Sequence, residues 1–132
     1  YLDDEPQGRP RYAIDFGPDG YLYATSGDGS TDSDVLLNGQ RTDSLYAKVL
    51  RIDVDKPSEG KPYSIPADNP FVGRKGFAPE TWAYGFRNPW RIEVDDVTGH
   101  VWVGNNGQDL WEQVYFVTKG AKRQEVLVGA LQ

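Results

Sequence analysis

The 132-residue chain contains no cysteine, no methionine and a single histidine, His100. Without cysteine there are no disulfides, no thiolate metal sites and no cysteine nucleophiles. Without methionine there is no initiator residue, which predicts a fragment, a processed product or a trimmed chain. No apolar run reaches the roughly 20 residues that a transmembrane helix needs. No signal peptide is present, but such a signal would lie upstream, so export stays open. Positive charge is scarce: 14 basic residues against 20 acidic ones leave a formal charge of −6. Nucleic acid and anionic membrane both recruit Lys and Arg, so neither is expected as a partner. The acidic residues are scattered rather than gathered in a tail and read mainly as solvated surface. Helix signals are weak; residues 43–49 form the one candidate stretch, too short to hold alone.

The chain is rich in turn formers and rings: 15 Gly, 9 Pro and 13% aromatic residues. That composition suits short strands joined by tight turns. Tyr12, Ile14 and Phe16 alternate with Arg11, Ala13 and Asp15, the period of a strand. Gly17-Pro18-Asp19-Gly20 turns the chain, and Tyr21-Leu22-Tyr23-Ala24-Thr25 returns, which makes a hairpin. Trp90, Ile92 and Val94 repeat the plan, with a turn over residues 95–99 and a return through Val101-Trp102-Val103. Gly20 matches Gly99, 79 residues on, and each hairpin runs into a Gly-containing loop. Residues 48–54 and 112–117 read as further strands. Short strands broken by Gly and Pro argue for a sandwich, barrel or propeller, and the internal repeat favours a propeller. At about 40–50 residues per blade the chain holds two to three blades, so the circle stays open. Open blades leave faces uncovered, and Phe16, Trp82, Trp90 and Trp102 are expected to be partly exposed.

Several blocks resemble a known family. Phe16-Gly17-Pro18-Asp19-Gly20-Tyr21-Leu22-Tyr23 with Gly27-Asp28-Gly29 is similar to a signature of the pyrroloquinoline-quinone (PQQ)-dependent glucose, sorbosone and aldose sugar dehydrogenases. So are residues 48–55, residues 65–71 and residues 79–91, the last containing Arg87-Asn88-Pro89. Val101-Trp102-Val103-Gly104 with Gly107-Gln108 and Trp111-Glu112 completes the set, in the family's order. The resemblance implies an all-β fold, part of a six-bladed β-propeller, spanning residues 1–132. It implies PQQ bridged to protein by Ca²⁺, a sugar substrate, a periplasmic or extracellular setting, and further blades in the parent chain. Hydride passes from the sugar to PQQ in such enzymes.

The resemblance assigns roles residue by residue. Arg87 and Asn88 match cofactor contacts, and a guanidinium suits carboxylate or quinone oxygens; the alternative is an arginine that ties two loops together. Gly107 and Gln108 match a loop whose carbonyls bind Ca²⁺, with an acid expected a few residues on, at Glu112. Where many relatives have two adjacent acids, this chain has Glu112-Gln113, and an amide oxygen at Gln113 weakens the site. The alternative is a plain hairpin loop. The family's base, a histidine, falls at Arg9, which cannot accept a proton. Either the register slips and the histidine lies upstream, or the base is missing. His100 on the second hairpin reads as a surface or edge residue. Asp28, Asp32 and Asp34 lack EF-hand spacing and read as solvated. Residues 122–129 depart from the family pattern with no physical account. Two functions stay open: a piece of a PQQ sugar dehydrogenase, or a non-catalytic binding module of the same family.

Overall fold

The computed structural model describes residues 12–30, 34–107, 111–118 and 127–131. These form two four-stranded antiparallel sheets. The first holds β1 (Ile14–Phe16), β2 (Leu22–Ser26), β3 (Lys48–Ile52) and β4 (Thr81–Tyr84) in sequence order. The second holds β5 (Asn88–Val94), β6 (Val101–Asn106), β7 (Glu112–Val117) and β8 (Leu127–Leu131), also in sequence order. Four-stranded meanders laid face to face in chain order are the blades of a β-propeller. No α-helix occurs among the described residues, so residues 43–49 are not helical; Lys48 and Val49 open β3 instead.

Turn chemistry sets both hairpins. Gly20 sits at φ 80° and Gly99 at φ 70°, a region that favours glycine. Asp95 Oδ1 accepts from Val97 N, Thr98 N and Thr98 Oγ1, which holds the second turn. The registers are parallel in plan: Phe16 faces Leu22 and Ile14 faces Ala24, while Val94 faces Val101 and Ile92 faces Val103. The block at residues 79–91 holds β4, the crossover between the sheets and the start of β5. Asn88 and Pro89 lie inside β5, with an irregularity between Pro89 and Arg91, rather than in a turn. β8 arises from the atypical C-terminal stretch and pairs with β7.

The core lies between the sheets. Tyr23, Val49, Trp82, Ala83 and Phe86 of the first meet Val94, Val101, Val103 and Val117 of the second. Asp15 Oδ2 accepts from Val94 N at 2.8 Å and stitches the blades together. One expectation fails here. Trp82 is only 5% exposed, because its ring packs edge-on against Tyr23 with the second blade over both. Phe16, Trp90 and Trp102 are exposed as expected. No helix among the described residues is long and apolar enough to cross a membrane.

Candidate functional site

The ends of β2, β4 and β6 and the starts of β3, β5 and β7 converge on one edge of the blade pair. There the loops enclose a cavity of about 500 Å³. Arg87, Gly107, Gln113, Asn105, Asp28 and Asp34 are among its lining residues. Arg87 stands in the short crossover between the blades, and its main chain is held from both sides. Its carbonyl accepts from Asp28 N at 2.8 Å. Asn105 Oδ1 accepts from Arg87 N at 3.1 Å and from Asn88 N at 3.0 Å. The Arg87 guanidinium donates from Nη1 to the Gly107 carbonyl at 2.9 Å. Asn88, half-buried in β5, is not among the lining residues, and its main-chain N–H is held by Asn105 Oδ1.

The acidic residues of the cavity are engaged, not solvated. Asp28 is buried, and its carboxylate accepts from Ser30 N and Ser30 Oγ. Asp34 accepts from Asn38 N and Gly39 N. Behind them Asn38 donates to the Asp28 carbonyl, and its own carbonyl accepts from Lys48 Nζ. Asp32, Arg9 and Gln108 lie outside the described residues.

The described residues expected to hold calcium have other partners in this fold. Glu112 is exposed and is not a lining residue; its carboxylate accepts from Asn106 Nδ2 and Gly107 N, closing its own hairpin. Gln113 Oε1 accepts from both Asn105 Nδ2 at 3.1 Å and Tyr115 OH at 2.6 Å. The Gly107 carbonyl faces a guanidinium. Calcium takes about 6–8 oxygen ligands, and among the described side-chain atoms of this loop Asn106 Oδ1 is buried without a hydrogen-bond partner. These residues, as placed, do not fit a calcium ion. No cluster of three or more acidic or histidine side chains suited to a metal occurs among the described residues.

His100 sits before β6, at the end opposite the cavity. At about 3.3 Å per strand residue, seven residues separate it from Gly107 by roughly 23 Å. Its ring packs edge-on against Phe116. It serves the sheet and not the cleft. Composition singled out neither Asn105 nor Tyr115, although a signal existed. Asn105 continues the inward series Val101, Val103, and a polar residue at a buried position needs a partner.

Gly107 has a steric reason to be glycine. A Cβ there would collide with the Trp111 carbonyl oxygen, a backbone atom that cannot move alone. Gly107→Ala is expected to spread the β6–β7 loop, to cost about 1–3 kcal/mol, and to pull the carbonyl off Arg87. Thermal denaturation checks the stability, and unchanged stability would refute the close approach.

Residues 5–122 match the family model for glucose/sorbosone dehydrogenase. The chain belongs to the glucose/sorbosone dehydrogenase family. Over 115 residues it is 43% identical to the HIPL1 protein of Arabidopsis thaliana, covering 80% of this chain and 16% of that protein. Over 80 residues it is 40% identical to human Hedgehog-interacting protein, covering 61% of this chain and 11% of that one. The crystal structure of the soluble aldose sugar dehydrogenase from Escherichia coli in its apo form superposes with a TM-score of 0.61 at 26% identity, covering 82% of this chain and 28% of that one. The chain thus spans between about a tenth and three tenths of these relatives. Within the family, its two sheets are two blades of a propeller.

Proposed function

We propose that the chain supplies two blades of a quinone-dependent sugar oxidoreductase and that the cavity around Arg87 forms one wall of its cofactor and sugar cleft. The placement of Arg87 carries this reading. Its main chain is tied to both blades and its Nη1 donates to the Gly107 carbonyl, so the guanidinium is held at the cleft with less freedom to lose on binding. A guanidinium presents five N–H donors in a planar fork suited to carboxylate and quinone oxygens. When bound, PQQ supplies the hydride acceptor for oxidation at a sugar's anomeric carbon. Arg87 binds and orients an anionic edge of such a ligand. Trp111, half exposed at the same rim, offers a flat apolar face. The two aspartates do not act as bases there, since their oxygens hold loop amides. The parent protein is placed in the periplasm or outside the cell by the same reading.

A second reading, ligand binding without turnover, has its own support. The oxygens expected to hold calcium are occupied by partners from this chain, and one relative is named for interaction with a protein. The two readings part in one experiment. PQQ is titrated into the chain by tryptophan fluorescence, followed by a dye-linked assay with several aldoses. Arg87→Ala is expected to weaken PQQ binding by about 10–100-fold, the worth of one charge-assisted contact. The chain alone is expected to show no turnover, because the cleft needs loops from further blades. The same substitution in the parent protein is expected to abolish oxidation. PQQ binding indifferent to Arg87→Ala would remove the proposed site. Binding in a parent protein that never oxidises sugar would establish the second reading.

A further inference from the structure

The side-chain network under the cavity has a fixed donor-to-acceptor sense, and that sense starts at the backbone. Arg87 N and Asn88 N can only donate, so the Asn105 atom that both reach is Oδ1. Asn105 is buried, and it turns its Nδ2 toward Gln113, its cross-strand neighbour in the β6–β7 register. A donor on the Asn105 side requires Oε1 on the Gln113 side, and Tyr115 OH donates to the same oxygen. Burial holds the Tyr115 hydroxyl above its ordinary pKa, so it keeps the proton it donates. Two donors thus occupy Oε1. Gln113 lines the cavity, and the polar group it has left for that space is its Nε2 amide, which donates to no described residue.

We infer that Gln113 is a binding residue of the cleft, its Nε2 donating to a carbonyl or carboxylate oxygen of the ligand beside Arg87. The inference rests on the reading of this cavity as a cofactor cleft and adds the polarity of its wall. Arg87 and Gln113 line the same space, and both carry N–H donors. An acceptor oxygen of the ligand is therefore met by this chain's own donors and needs no cation between. The poor fit of calcium to these residues has the same origin. An acid in place of Gln113 would hold the same two donors, but its second oxygen would face the cavity and repel such a ligand. Asn105 acts through Gln113 and is a positioning residue: it decides which end of the amide the cavity meets.

The test is titration of PQQ into the full 132-residue chain, read by tryptophan fluorescence, with and without EDTA. Gln113→Glu is expected to weaken binding by about 10–100-fold, and EDTA is expected to leave the wild type unchanged. Asn105→Asp is the second variant. One of its oxygens still accepts from Arg87 N and Asn88 N, while the other now accepts where Nδ2 donated. The Gln113 amide then turns over and brings Oε1 into the cavity, so binding is expected to weaken to a similar degree with Gln113 itself untouched. Circular dichroism confirms that each variant keeps the sheet; Gln113→Glu carries the test if Asn105→Asp does not. Binding unchanged in Gln113→Glu but weakened in Arg87→Ala would overturn the inference and leave the cleft reading intact. The reverse pattern would remove Arg87 from the cleft and keep Gln113. Binding by the wild type that EDTA abolishes would put a cation between Gln113 and the ligand and overturn the inference. A wild type that does not bind PQQ would overturn both.

Discussion

Arg51→Met is expected to remove about 3–5 kcal/mol of stability, most of what a small domain possesses. Arg51 is a central β3 residue with almost no exposure, and it organises the base of the first blade. Its Nε and Nη2 donate to Asp19 Oδ2 at 3.1 and 2.8 Å, and Nη1 donates to Asp68 Oδ1 and Asn69 Oδ1. The guanidinium also lies 4.4 Å from the Tyr21 ring and 4.9 Å from the Trp82 ring. It thereby ties the hairpin turn to the Pro-rich excursion between β3 and β4. Methionine fills similar volume but leaves the Asp19 carboxylate, 13% exposed, without its counter-charge. Asp68→Ala, by contrast, is expected to cost no more than about 1 kcal/mol, because that carboxylate is 67% exposed and water replaces its partner. Urea denaturation of the two variants checks the contrast; equal losses would contradict it.

Acid titration reads the same network. Burial alone would raise the Asp19 pKa, but hydrogen bonds from Arg51 and Tyr21 N and the Arg51 charge outweigh it, and the result lies below 3.8. A depressed carboxyl pKa contributes stability that is complete above the unfolded value and is lost as pH falls through the folded one. Loss of stability below pH 4 is therefore expected in the wild type, and less of it in Arg51→Met.

Between pH 7.5 and 10 the chain is expected to become more stable, by about 2–3 kcal/mol, and Lys48→Met is expected to lose that rise. Lys48 is fully buried. Its Nζ donates to the Tyr46 carbonyl at 2.6 Å and the Asn38 carbonyl at 3.1 Å, and no carboxylate pairs with it among the described residues. Burial lowers its pKa from 10.5 to about 8. Below pH 8 the lysine is charged in both states, so the folded chain bears the full desolvation. Between 8 and 10.5 the unfolded chain keeps a proton that the folded chain has released. Stability then rises with pH, since the unfolded state binds more protons. The neutral amine still has two hydrogens for its two carbonyls. Above pH 10 the trend reverses, because burial holds the Tyr23 and Tyr115 hydroxyls above their ordinary value and the unfolded tyrosines ionise first. Chemical denaturation at half-unit pH steps measures the effect. A wild-type curve that is flat or falling between pH 8 and 10 would refute it.

The hairpins at Gly20 and Gly99 were legible because turn residues and a period of two act over a few neighbours. The resemblance of the Arg87-Asn88-Pro89 block drew attention to Arg87, and the fold places that residue on the cavity wall. Glu112 and Gln113 were legible only as residue types. Their orientation depended on Asn105 and Asn106, which reach them from the adjacent strand β6, and on Tyr115, which donates to Gln113 from two residues along β7.

Composition and local pattern by themselves determined an all-β chain of repeated hairpins and its turns, and the resemblance of five ordered blocks pointed to its family. Each of these rests on contacts between near neighbours or on blocks that keep their order. Only the tertiary structure decided which faces are covered. Trp82 and Trp102 are alike in sequence terms, yet one is buried and the other half-exposed, because the second blade packs over the first ring while, among the described residues, the second rests on Phe116 of its own sheet. Likewise Lys48 and Arg51, three residues apart on β3, look like surface cations until distant loops close over them. Burial is a property of everything packed around a residue, and that is set by partners far away in the chain.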